Sequence, residues 1–155
     1  GSADESYYLK DRGRYTGSQC NSWNEEPEIE QDSTYYDERE YLIDNSMDAL
    51  VSIIKESAKR NIRVVGLIFP QSPAYAETGA FGRYGMRRSV AKKLIDELKA
   101  LNKKYSNFVL VDENKMGKHD YADLMAVDED HLCSGGSIIL TQRLNEFLLS
   151  WEDKK

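Results

Sequence analysis

Apolar residues are distributed in two ways along this chain. Between residues 41 and 151 they recur at helical spacing or gather into short continuous runs, whereas residues 1–40 hold scarcely an aliphatic side chain. Ile43, Met47, Leu50, Val51, Ile54 and Ala58 follow an i, i+4, i+7, i+8 spacing, which puts them on one stripe and predicts a helix over 37–60. Asn61 interrupts it. Arg63 then leads into Val64-Val65-Gly66-Leu67-Ile68-Phe69, a run stopped by Pro70 and patterned like a strand buried on both faces of a parallel sheet. The next loop, 70–83, exceeds the roughly two to six residues usual between strand and helix, and long loops often carry function. A second helix is expected over 84–104, with Met86, Val90, Leu94, Leu98 and Leu101 on one face. Phe108-Val109-Leu110-Val111, ending at Asp112, reads as a second buried strand. Another long loop, 113–133, precedes a Ser134-Gly135-Gly136 break. The last helix, over 136–151, is expected to bury Leu140, Leu144, Phe147, Leu148 and Trp151.

Strand, crossover helix and strand make a βαβ unit, and the full order predicts a three-layer α/β fold with helices on both faces of a parallel sheet. In such sheets ligands bind beyond the carboxyl ends of the strands, where both long loops fall. Two strands alone would leave sheet edges and apolar faces uncovered. The body, 41–151, is therefore expected to gain strands from a missing amino-terminal half or from a partner chain. Residues 1–40 read as a polar arm that needs a partner surface to be ordered, and 152–155 as a tail.

Charge narrows the range of partners. Charged residues make up 31% of the chain and the net charge is −6, which argues against nucleic acid bound through its phosphates. Arg83, Arg87, Arg88, Lys92 and Lys93 form the one basic cluster, read as the wet face of a helix. No apolar run reaches the roughly 18 residues of a membrane span. No signal peptide is expected, and Gly1-Ser2 looks like a cloning remnant. The compartment is left open, a secreted or cell-envelope bacterial setting included. With only two cysteines there is no disulfide framework and no cysteine zinc site. One bridge between Cys20 and Cys133 would tie the polar arm to the loop holding His131, and the free thiols are the alternative. Cys133 as a nucleophile would lack a separate base.

Candidate chemistry concentrates in Val127-Asp128-Glu129-Asp130-His131-Leu132. An imidazole beside a carboxylate can act as a general base, because the carboxylate fixes its tautomer and stabilises the imidazolium. The plainer alternative is that His131 caps or packs near the last helix. Three rivals draw on nearby residues. Asp112, Asn114, Met116, Gly117, Lys118, Asp120 and Asp123 imitate a calcium loop, but Met116 takes a ligand position and the twelfth residue is Asp. His119, Asp120, Asp123, Asp128, Asp130 and His131 could furnish ligands for a transition metal, although the histidines lack helical spacing. Gly79, Gly82 and Gly85 precede a helix without completing a phosphate-binding pattern. None of these is favoured, and no cofactor is expected.

The stretch Asp128-Glu129-Asp130-His131-Leu132-Cys133-Ser134-Gly135-Gly136, followed by Ser137-Ile138-Ile139-Leu140-Thr141-Gln142-Arg143-Leu144, resembles the carboxyl-terminal block of the SGNH, or GDSL-type, esterase and lipase superfamily. The likeness extends over about residues 40 to 151 through the order of elements. It implies a flavodoxin-like parallel sheet, incomplete at its amino terminus, and hydrolysis of an acyl or acetyl ester, with a small molecule or carbohydrate as substrate. His131 would be the base and Asp128 its orienting acid. The family's Gly-Asp-Ser nucleophile block is missing, and Ser18 and Ser22 are the nearest candidates. Asn21 would stand for the oxyanion-hole asparagine, a donor that matters only when preorganised. Tyr75, Phe81 and Tyr84 would shape the substrate pocket. The other reading is a non-catalytic binding or scaffolding domain without the nucleophile, contacting carbohydrate or protein through Tyr7, Tyr8, Tyr15, Trp23, Tyr35 and Tyr36.

Overall fold

A computed structural model describes residues 19–23, 25–29, 40–122 and 124–152. Among these residues the chain forms helix α1 (Glu40–Lys59), strand β1 (Val64–Ile68), helix α2 (Arg88–Lys104), strand β2 (Phe108–Asp112) and helix α3 (Ser134–Glu152). Short 3-10 turns at Pro73–Glu77 and Lys115–Gly117 follow the two strands. The result is a small α/β fold around a two-stranded parallel sheet. The expected helix start at 37–39, the tyrosines of the arm and residues 153–155 lie outside the described residues.

The strands are adjacent and parallel, as the pattern of the chain predicts, in a register from Val64 opposite Phe108 to Ile68 opposite Asp112. Gly66 lets them close up, since a Cβ there would lie 3.3 Å from the Phe108 and Leu110 side chains. α1 stops where Asn61 takes a positive φ of 54°. The Ile62 and Asn61 amides then donate back to the Ser57 and Ala58 carbonyls, the left-handed cap that satisfies the last carbonyls of a helix. Asn107 donates to the carbonyls of Ile54 and Ile62, so the end of α1 is tied to the start of β2. α1 and α2 face one another across a groove lined by Ile43, Met47, Leu50, Leu94 and Leu98. α3 runs antiparallel to β1. Its Leu140 shares a cleft with Phe69 and Pro70, while the Arg63 guanidinium stacks 5.0 Å from the Trp151 ring.

Several boundaries and faces differ from the expected ones. α2 begins at Arg88, not at 84, because residues 79–88 fold back on themselves: Ala80 pairs with Arg87, and the Phe81 and Arg88 amides donate to Met86 and Gly79. Its buried positions are Ala91 and Ile95, with the leucines half-covered beside them. Ala58 faces solvent, and Leu148, expected inside, is 38% exposed. The basic cluster is not uniformly wet. Arg83 pairs with Glu28 and Glu129, and Arg88 donates to the Met116 carbonyl, whereas Lys92 lies outside, paired with Asp96.

Ser134-Gly135-Gly136 is no break but the first turn of α3. A Cβ on Gly136 would sit 2.5 Å from the Met125 carbonyl oxygen and 2.7 Å from Leu132. Glycine therefore serves close approach here, letting the helix start press against the loop that carries Asp128 and His131.

Candidate functional site

Residues 125–133 form a hairpin beyond the carboxyl ends of the strands. The Cys133 amide donates to the Met125 carbonyl and the Val127 amide to the His131 carbonyl, with Ala126 paired to Leu132. Asp128, Glu129 and Asp130 make its tip. Asp128 Oδ1 accepts the Asp130 amide at 2.8 Å, an Asx turn that stiffens this tip. The two Asp128 carboxylate oxygens also lie 2.8 and 3.0 Å from His131 Nδ1. This contact fixes the tautomer: with Nδ1 turned to the carboxylate, Nε2 is the free nitrogen, and it has no protein partner among the described residues. Both side chains are open to solvent, His131 at 73% and Asp128 at 43%. Burial pulls the Asp128 carboxyl up, but the Asp130 amide and the His131 ring outweigh it and hold its pKa below the usual value.

A cleft of about 420 Å³ lies beside His131, lined by Phe69, Pro70, Asp130, Leu132, Ser137 and Leu140. Its walls are mainly apolar. Tyr75, Phe81 and Tyr84 are not among the residues that line this cleft. Tyr75 is buried, only 3% exposed, and its hydroxyl hydrogen-bonds to Asp130 and to the Glu28 carbonyl. Tyr84 is turned to solvent at 71%. Among the described residues Ser137 is the cleft's one hydroxyl side chain, and no hydrogen bond joins it to the His131 ring.

The hairpin is sewn to the loop after β1. The Ser72 amide donates to the Glu129 carbonyl, and Gln71 and Tyr75 donate to Asp130 Oδ1. Burial pushes the Asp130 carboxyl up, with hydrogen bonds from the Arg83 amide and Tyr75 opposing it. Two carboxylates two positions apart are thus driven in opposite directions. Asp130 anchors the tip, a role that nothing in a run of three acidic residues distinguishes from sequence.

On the other side the hairpin meets the polar arm. Cys20 and Cys133 form a disulfide, with Cα atoms 5.2 Å apart. Asn21 pairs with Ala126 through two backbone hydrogen bonds of 2.7 and 3.0 Å, and the Trp23 indole donates to the Tyr121 carbonyl at 2.6 Å. The surface that orders this part of the arm is therefore the chain's own loop. Asn21 reaches the same ribbon as Asp128 and His131, but its carboxamide donates to the Gln19 carbonyl and touches neither. Ser22 is exposed, and Ser18 lies outside the described residues.

The residues of the rival metal readings are engaged locally. Asp112 and Asn114 accept the Lys115 and Gly117 amides, and Asp120 takes a bidentate contact from Arg143 at 2.7 Å. His119 contacts the Gln71 carbonyl through Nε2 and the Tyr121 amide through Nδ1. No group of three or more His, Cys, Asp or Glu able to hold a metal ion occurs among the described residues, which leave out Asp123. Gly79, Gly82 and Gly85 belong to the folded-back loop rather than to a helix start.

Arg143 also reaches Glu113 at 3.1 Å and lies 4.7 Å above the Tyr121 ring, whose hydroxyl donates to Glu113. Burial, then the Glu113 carboxylate, pushes the Tyr121 pKa far up. This cluster holds the loop base from which the hairpin rises. Comparison with protein-family models, with curated proteins and with solved structures gives no match.

Proposed function

We propose that the chain is the carboxyl-terminal portion of an SGNH-like hydrolase domain that cleaves acyl or acetyl esters of a small molecule or carbohydrate. The observation that carries this reading is the Asp128–His131 contact at the hairpin tip, with Nε2 free beside a mainly apolar cleft. In this chemistry Nε2 takes the proton from a serine hydroxyl and later returns it to the leaving alcohol, while Asp128 holds the ring and stabilises its charged form. The serine would come from sequence outside the described residues, on a strand completing the sheet beside β1.

A second reading, a non-catalytic binding or scaffolding domain, is favoured by one specific observation: among the described residues no serine hydroxyl is hydrogen-bonded to His131. Both readings expect the 155-residue chain to leave p-nitrophenyl acetate unhydrolysed above buffer and to take no label from a fluorophosphonate probe, because triad members act as a unit. Turnover that disappears with His131→Ala would show a nucleophile within the chain, and Ser137, Ser18 and Ser22 would be the serines to replace first.

A further inference from the structure

Among the described residues, the bonded and ring contacts of segment 19–23 fall on the loop between β2 and α3 and on the first residue of α3. They are the Cys20–Cys133 bridge, the Cys20 Sγ–Ser134 Oγ contact of 3.7 Å, the two Asn21–Ala126 backbone bonds, the Trp23 indole bond to Tyr121 and the tilted Trp23–His119 ring contact. None of these reaches the sheet or α1. The hairpin, by contrast, keeps anchors that owe nothing to the bridge: Ser72 to Glu129, and Gln71 and Tyr75 to Asp130. Cys133 stands two positions beyond His131, so the bridge closes directly on the element that presents the pair.

We propose that the Cys20–Cys133 disulfide is a redox-operated clasp: reduction by a dithiol releases segment 19–23 from the hairpin and leaves the β1–α2–β2 body folded. The inference holds whether the Asp128–His131 pair catalyses or only binds. Cys133 is 2% exposed whereas Cys20 is half-exposed, so the reductant attacks Cys20. A dithiol thiolate displaces Cys133 as a thiolate, which takes up a proton, and forms a mixed disulfide with Cys20. The second thiol of the reductant, as its thiolate, then attacks its own partner sulfur and expels Cys20, which is protonated in turn. Two electrons and two protons pass to the protein, and the dithiol becomes a cyclic disulfide. Oxidising compartments keep the clasp shut and thiol-reducing ones open it. Once it is open, the segment is held by the Asn21–Ala126 backbone bonds and the Trp23 indole, with Asn21 and Ser22 exposed.

Hydrogen exchange of the whole chain, with and without dithiothreitol, tests this. Mass analysis verifies that the bridge is reduced. The expected result is loss of amide protection at Asn21 and Ala126 and movement of the Trp23 indole N–H resonance to its solvent-exposed position. Protection across Val64–Ile68 and Phe108–Asp112 should not change. A Cys20→Ser/Cys133→Ser variant should show the reduced pattern and ignore the reductant. Retained protection at Asn21 and Ala126 after reduction would overturn the proposal. So would loss of strand protection together with theirs, because the bridge would then be a staple for the entire fold.

Discussion

The loops beyond the strand ends and the sheet they leave are built to opposite standards. Ser72, Tyr75, Ala80, Asn114, Tyr121, Ala126, Glu129 and Cys133, all outside the α-helices and strands, are buried, whereas every residue of β1 is only half-covered. Exposed Ile62 and Phe69 flank that strand, at 51% and 58%. On β2 the Leu110 amide is taken by Asn102 from α2, so that edge is furnished with a partner. β1 has the composition of an interior strand, without the charges or prolines that guard natural edges. The contrast teaches that the candidate site is held by its own loops, while β1 is left half-covered.

The heaviest blow should fall on the sparse core of the body. Ile54 is fully buried, and Ile54→Ala should cost about 3 kcal/mol in urea unfolding, from lost burial and the cavity left. A loss under about 1 kcal/mol would mean that α1 contributes little. Gly136→Ala comes next, with an expected cost of about 2 kcal/mol from overpacking against Met125 and Leu132. Helix propensity alone predicts a gain of about 1 kcal/mol, so the sign of the change decides whether the glycine serves the hairpin.

Acid should act more gently, and on the loops. The Arg143 guanidinium, working against desolvation, holds the Asp120 carboxyl down from 3.8 to about 2. A carboxyl lowered by folding contributes stability above its unfolded value and loses it as the pH falls through the folded one. Wild type should therefore lose stability more steeply than Asp120→Asn between pH 3.8 and about 2. The difference should be small, since the Asp120 side chain is 64% exposed and screened by solvent. Parallel acid limbs would remove the pair from the account. The smallest effect belongs to the open side of the sheet: Phe69→Ser should change stability by no more than about 0.5 kcal/mol while lowering binding of an apolar dye. A large loss would show that Phe69 is packed, and the contrast between the two regions would fail.

The β1–α2–β2 unit was legible in the sequence because both strands are unbroken apolar runs, a signal that depends on no distant residue. The start of α2 was not, since the helical pattern of residues 84–87 is overridden by the pairing of Ala80 with Arg87. The Asp128–His131 contact could be anticipated from spacing, because three positions across a tight turn bring short side chains together. Its support was less legible: the bridge, across 113 positions, was one of two open readings of the cysteines, and Asp130 is set apart from its acidic neighbours by Gln71, Tyr75 and the Arg83 amide. Composition likewise marks the 70–83 loop as aromatic without saying which rings turn inward: Tyr75 is buried and Tyr84 exposed.

The central claim, that Asp128 and His131 are the acid and base of an ester hydrolase, is tested most directly on a longer product of the natural gene that includes coding sequence upstream of residue 3. Purified and shown to be folded, it should hydrolyse p-nitrophenyl acetate, label with a fluorophosphonate on a serine outside these 155 residues, and lose on the order of 10⁶-fold in turnover with His131→Ala. A folded longer chain that hydrolyses nothing, or that hydrolyses equally well after His131→Ala, would contradict the claim and leave the binding domain as the reading that stands.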